Sequence, residues 1–301
     1  MKIMRHTCLL CALILLVGCM MSPTKSIEIP NVILNDKYKN IPHINLSDYP
    51  VVDGSTATFP LAIALIREIT NASQQEAENY TSFNTTDPSY SQLADGSADM
   101  LLVYEASDKT KETLSEYAKF RINPVGRDAL VFLVNDNNPV RSLSTKQLRD
   151  IYMGTITNWS ELGGNDLEIV AFQRQEESGS QTLMKKLIMG ANMPDIEFTP
   201  VNSMQGLVDK IGSFDATANA LGYSVYYYVN NMYIQPNIRI LAVDGVIPSN
   251  ETIQSGEYPH INDFFCVLPE TPKQEVLQIS DWMLSDEGQN FIKECGYVPV
   301  Y

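Results

Sequence analysis

The sequence predicts an α/β protein with largely parallel sheets, and three observations carry that prediction. From residue 49 onward, short apolar stretches alternate with polar loops and helix-spaced apolar stripes. One stretch, Ala129 to Val134, is continuously apolar, as in a strand buried on both faces. The chain has 301 residues, 44% of them hydrophobic, which is enough for a sizeable core and about two domains at roughly 150 residues each. Collagen-like, low-complexity and disordered chains are excluded by the same composition.

Taken in order, Pro50-Val51-Val52 is the end of a strand, followed by the loop Asp53-Gly54-Ser55-Thr56 and then a helix. Leu61, Leu65, Ile66 and Ile69 fall on one face of that helix. Pro60 sits in its first turn, where a missing N–H is harmless. Ala129–Val134 is the buried strand, and Ile169-Val170-Ala171-Phe172 is another. After a polar loop, Leu183, Met184, Leu187 and Ile188 form a helical stripe ending at Gly190. Cys266 and Cys295 lie among apolar neighbours and read as buried free thiols rather than a disulfide. There is no internal repeat.

Residues 1–18 read as an export signal, with Lys2 and Arg5 preceding a short apolar run from Cys8 to Val17. That run is too short to span a membrane, which takes about 20 residues. It ends in Leu16-Val17-Gly18-Cys19, which resembles the lipobox of bacterial lipoproteins. The resemblance implies that Cys19 becomes lipidated and N-terminal, leaving residues 19–48 as a tether and lead-in. Multiple acylation, as in that class, anchors a protein firmly at the membrane.

Two loops join strand ends to helix starts and are rich in small hydroxyl residues. One is Gly54 to Phe59 and the other Arg174 to Thr182. Helix N-termini present unpaired N–H groups and partial positive charge; hydroxyls add donors, and an arginine grips two oxygens at once. Singly, such hydroxyls are ordinary N-caps. Two loops with an arginine beside one point to an anion site.

Other classes fit poorly. A net charge of −15 argues against a nucleic-acid binder, which needs a basic face. Past the signal only His43 and His260 remain, without metal-ligand spacing, so no metal and no cofactor is expected. No G-x-S-x-G elbow, phosphate-binding G-x-x-x-x-G-K-[ST] or Cys-x-x-Cys is present, and Ser22 to Lys25 matches S-x-x-K only within the tether. The chain is therefore not expected to be an enzyme.

The stretch Arg127 to Asn135, then Asn138-Pro139-Val140, Leu143 to Gly154, Ile156-Thr157-Asn158-Trp159 and Leu162-Gly163-Gly164 resembles the PstS family. These are the phosphate-binding proteins of high-affinity phosphate ABC transporters. Order and spacing persist from about residue 50 to Gly296-Tyr297-Val298-Pro299. The resemblance implies a two-lobed type II periplasmic-binding-protein fold, with the ligand cleft between lobes joined by crossing strands. Lobe one would take residues 49–128 and 269–301, and lobe two 129–268. Most of the matched residues, Trp159 among them, would be framework.

The family's ligand residues carry over where motifs match. Thr58-Phe59-Pro60 matches a loop ending Thr-Phe-Pro, implying the Thr58 hydroxyl and Phe59 N–H as donors. Arg-x-x-x-Ser-Gly-Thr matches Arg174, Ser178, Gly179 and Ser180, with serine for threonine. A hydroxyl thirteen residues ahead of an Ala-Asp pair falls on Thr86, with Thr85 one position away. One position departs: the family's aspartate, which accepts the proton of hydrogen phosphate and rejects sulfate, is Tyr104 here, followed by Glu105. Glu105 is expected to take over as acceptor through a one-residue shift; otherwise Tyr104 is a donor and Glu105 a solvated cap.

The expected function is an exported, membrane-anchored, monomeric lipoprotein that captures inorganic phosphate and delivers it to an ABC permease. It would sit at the outer face of the cytoplasmic membrane or in the periplasm. The alternatives are a binder of another tetrahedral oxyanion, or a signalling or adhesive lipoprotein with a degenerate pocket.

Overall fold

The computed structural model describes residues 38–190, 193–194, 203–213 and 218–301. Cys19, residues 1–18 read as an export signal, and most of the expected tether lie outside the described residues. Chain order begins with β1 (Val52–Gly54), α1 (Phe59–Thr70), α2 (Gln74–Tyr80), α3 (Thr86–Asp95), β2 (Met100–Val103) and α4 (Asp108–Ser115). The long β3 (Phe120–Asn135) follows, then β4 (Ser142–Leu143), α5 (Thr145–Tyr152), β5 (Val170–Ala171) and α6 (Gly179–Met184). A π-helical turn over Lys185–Met189 continues α6. Next come α7 (Met204–Gly212), β6 (Ala220–Val225), β7 (Ile238–Ile240), β8 (Ala242–Val243) and α8 (Asn250–Ser255). The chain closes with β9 (Ile261–Pro269), α9 (Gln274–Met283) and α10 (Asp286–Glu294).

The α1 stripe is buried as its spacing predicts: Leu61, Leu65, Ile66 and Ile69 are all at most 1% exposed. Asn71 ends the helix in the left-handed conformation, φ 58°. Ala129–Val134 is fully buried within β3, and Trp159 is core, its Nε1–H donating to Asn219 O at 2.9 Å. Cys266 and Cys295 are free and buried, and burial pushes the Cys266 thiol up to about 12.

The strands run β1-β2-β9-β3-β6-β5, with β7 also on β3. Only β1/β2 and β5/β6 are parallel in this sheet; β2/β9, β9/β3, β3/β6 and β3/β7 are antiparallel. This corrects the expectation of largely parallel sheets. Each lobe keeps one parallel pair in this sheet, and β4 and β8 form a separate parallel pair, but β3 and β9 run against their neighbours.

The 16-residue β3 serves both lobes. Its first part pairs with β9 as far as Ala129↔Ile261, and its second with β6 from Leu130↔Val225. At the crossing, a Cβ on Gly126 would lie 2.3 Å from the Phe264 ring, so only glycine lets the two strands approach. β9 also pairs with β2 through Leu101↔Val267 and Val103↔Phe265. Residues 261–268, expected in lobe two, therefore lie in the sheet of lobe one, because the return crossing precedes β9. Nearby, Tyr227 stacks on Tyr297 with centroids 3.6 Å apart, tying the turn after β6 to the C-terminal segment.

Candidate functional site between the lobes

Both loops singled out from the sequence end up at the boundary between the lobes. The first is held by buried hydrogen bonds. Ser55 N–H donates to Leu102 O at 3.1 Å. The Thr58 hydroxyl, fully buried, lies 2.8 Å from Ser55 O and 2.5 Å from Leu102 O, and its single proton serves one of them. Phe59 N–H donates to Thr56 O. Thr58 and Phe59 thus use their donors to shape the loop. Asp53 fixes the adjoining turn, accepting from Gly54 N and from Asn84 N and Nδ2, each at 2.7 Å.

Thr86 opens α3. Its neighbour Thr85 is exposed and sits at φ 92°, a conformation that threonine adopts only under constraint. That turn directs the Thr86 hydroxyl inward, 2.8 Å from the Ser55 hydroxyl. Ser55 Oγ in turn accepts from Tyr104 N–H at 3.0 Å. Of the two threonines, Thr86 is therefore the one whose hydroxyl meets Ser55 and faces Gly179.

The second loop faces them. Ser178 caps α6 by accepting from Gln181 N–H, and its hydroxyl lies 3.4 Å from that of buried Ser180. Arg174 is 7% exposed, and its N–H is within reach of Gln181 Oε1 (3.2 Å) and Tyr223 OH (3.1 Å). Burial lowers the guanidinium's pKa from its ordinary value, opposed by Tyr223 and Tyr228. The loops touch at Gly179, where a Cβ would lie 2.6 Å from Thr86 Oγ1 and 3.4 Å from Tyr104 Cβ. Asp87 N–H also reaches Glu177 O at 3.5 Å across the same boundary.

The structure thus brings Thr86, Ser178, Gly179 and Ser180 together, with Thr58 and Phe59 supporting one side and Arg174 buried on the other. Glu105 is not part of this group. One carboxylate oxygen takes a 2.6 Å hydrogen bond from Lys111 and the other a hydrogen bond from Lys186. Burial raises the Glu105 pKa, but the two ammoniums outweigh it and the net direction is down. It is Tyr104 that packs against Gly179.

Sequence reasoning missed what Tyr104 does. Its hydroxyl donates to Asp128 Oδ2 at 2.7 Å. Asp128 is fully inside the crossing region, and Oδ1 accepts from Ala129 N at 2.7 Å and Tyr227 N at 3.0 Å. Burial raises Asp128 to about 6 against these hydrogen bonds. A carboxylate therefore stands one side chain behind the position where Tyr104 departs from the family pattern. Asp128 lies in a stretch that reads as framework, and only the fold brings it to Tyr104. Ser55 was visible as a loop hydroxyl, but not as the bridge between Thr86 and Tyr104.

Among the described residues no cluster of His, Cys, Asp and Glu could hold a metal ion. No described helix is long and apolar enough to cross a membrane.

Residues 46–294 match the family described as the PBP superfamily domain. The chain is 27% identical over 205 residues to the phosphate-binding protein PstS of Borreliella burgdorferi, covering 66% of this chain and 72% of that one. It is 26% identical over 258 residues to PstS of Bacillus subtilis, covering 83% and 80%. Among solved structures, a putative phosphate ABC transporter substrate-binding protein from Clostridium perfringens, with bound phosphate, superposes with a TM-score of 0.66 at 22% identity, covering 83% and 98%. An ABC-type phosphate transport receptor from Vibrio cholerae gives 0.60 at 22% identity, covering 83% and 99%.

Proposed function

The chain belongs to the PBP superfamily, and from that premise we propose that it is the extracytoplasmic phosphate-binding component of an ABC importer. The observation that carries the reading is the meeting of two hydroxyl-bearing loops, Ser55–Thr86 and Ser178–Ser180, beside the buried guanidinium of Arg174. Relatives named phosphate-binding protein PstS support it.

Thr86, Ser178, Gly179, Ser180 and Arg174 would hold the anion, with Thr58 and Phe59 forming the opposite wall. Hydroxyls and the backbone at the start of α6 donate to the oxygens, and Arg174 offsets their charge in a site that lobe closure dries. Binding and release, not catalysis, are the proposed activity. A pure scaffold has no use for a buried guanidinium, which counts against a degenerate pocket. Cys19 would carry the lipid that keeps the protein at the membrane beside its permease, as a monomer.

Another tetrahedral oxyanion is the second reading, favoured by Tyr104 in place of the aspartate expected from the resemblance. Calorimetric titration of the ligand-stripped protein with phosphate, sulfate, arsenate and molybdate tests both. Phosphate should give the tightest isotherm; heat with another anion alone establishes the second reading, and heat with none refutes both.

A further inference from the structure

We propose that Glu105 and Lys186 form a latch that holds the lobes shut, with Lys111 keeping the Glu105 carboxylate in position. The two partners are 81 residues apart in sequence and belong to different lobes. Glu105 directly follows Tyr104, whose ring packs against Gly179. Lys186 lies six residues beyond Ser180 on the helix that α6 and its π-helical turn make together. Each partner is therefore tied through a short, ordered segment to the very residues that meet at the site. The ion pair can form only when the loops meet, and the loops cannot part without breaking it.

Lys111 reaches the other Glu105 oxygen from α4, within lobe one, at 2.6 Å. It also contacts Asp108 at 3.2 Å, so the carboxylate is presented rather than free to wander. The pair lies at the rim of an inter-lobe cavity of about 500 Å³ that Lys109, Lys185, Glu176 and Thr182 also line. Glu176 is engaged by Lys185 at 2.6 Å, so it does not compete for Lys186. The Glu105 side chain is only 25% exposed, whereas that of Lys186 is 57% exposed. The latch is accordingly modest in strength and sensitive to salt. Lys186 and Glu105 are positioning residues: they act on the anion through the closed state and do not touch it. The latch goes beyond the proposed function, because it depends on the two opposed loops and not on which anion they hold.

The test is a double-mutant cycle of Glu105→Gln and Lys186→Met in the full chain, with Lys186→Arg as the conservative control. Inorganic phosphate is the probe, in low and in 0.5 M sodium chloride. At low salt each neutral variant should release phosphate faster and bind about two- to fivefold more weakly, the double variant no worse than either single one. High salt should erase the difference, and Lys186→Arg should behave as the parent. Additive single effects, or none, overturn the latch. Small-angle scattering of the ligand-free proteins separates this from a failure of the phosphate reading. If the parent binds no phosphate, the latch still requires Lys186→Met to enlarge the radius of gyration at low salt, and an unchanged radius refutes it.

Discussion

Tyr104→Phe removes one oxygen and leaves a buried carboxylate short of a donor. In the parent, that hydroxyl meets Asp128 Oδ2 at 2.7 Å, and both side chains are buried. A hydrogen bond to a charged group contributes about 1.5–3 kcal/mol, and one between neutral groups about 0.5–1.5 kcal/mol. Which figure applies depends on pH. The fold raises Asp128 from an ordinary 3.8 to about 6, so the folded chain holds this proton more tightly than the unfolded one. An acid shifted upward destabilises the fold as pH climbs between those values, and the full penalty, about 3 kcal/mol, applies above the upper one. At pH 7.5 Asp128 is ionised and the variant loses the stronger bond; at pH 5 it is mostly protonated and the variant loses the weaker one. With about 2–4 °C of melting temperature per kcal/mol for a chain of this size, Tm should fall by about 3–12 °C at pH 7.5 and by about 1–6 °C at pH 5. Differential scanning calorimetry at both pH values reads this directly. An equal drop at both, or a larger one at pH 5, would refute the charged pairing.

Three further outcomes follow from the site. Arg174→Ala should weaken phosphate binding by about 2–5 kcal/mol, roughly 30- to several-thousand-fold, with an unchanged melting profile; calorimetric titration beside a thermal melt checks both parts. Gly179→Ala places a methyl 2.6 Å from Thr86 Oγ1, and overpacking of about 1–3 kcal/mol should weaken phosphate binding about 5- to 150-fold. The same clash should open the ligand-free lobes of Gly179→Ala by small-angle scattering, and adding Thr86→Ala should close them; lobes that stay open in the double variant would be evidence against that contact. Cys19→Ser should abolish metabolic lipid labelling, and normal labelling of that variant would end the lipoprotein reading.

Much of this architecture was legible because local chemistry dictates it. The α1 stripe, the apolar run of β3 and the hydroxyl-rich loops each rest on residues close in sequence, and the structure keeps all three. Strand direction was not legible, because an apolar run buries equally well whichever way its neighbour points. The same blindness put residues 261–268 in the wrong lobe: nothing local in Phe264–Leu268 reveals that its partners are Leu101–Val103. Thr86 is distinguished from Thr85 by burial and by its hydroxyl's contact with Ser55, neither of which the sequence displays. Tyr104 and Glu105 directly follow β2, and their side chains part, the Tyr104 hydroxyl to Asp128 and the Glu105 carboxylate to Lys111 and Lys186. Which face meets the second loop is settled by Asp128 and Lys186, 24 and 81 residues away.

The sharing of β3 and β9 has a consequence for how the chain acquires its structure. Lobe one's sheet has β9 at its centre, between β2 and β3, yet β9 begins about 158 residues after β2 ends, as the bounds Val103 and Ile261 give it. Until that segment is made, β1 and β2 are a two-stranded pair with an open apolar edge, too little to be stable alone. Lobe two has its strands β4 to β8 and the second half of β3 in hand by residue 243. Vectorial emergence therefore completes the second lobe first, and the lobe nearest the N-terminus closes last, through its most distant contacts. A chain stalled before residue 261 would expose the β2 edge, which is where holdase chaperones would be expected to act.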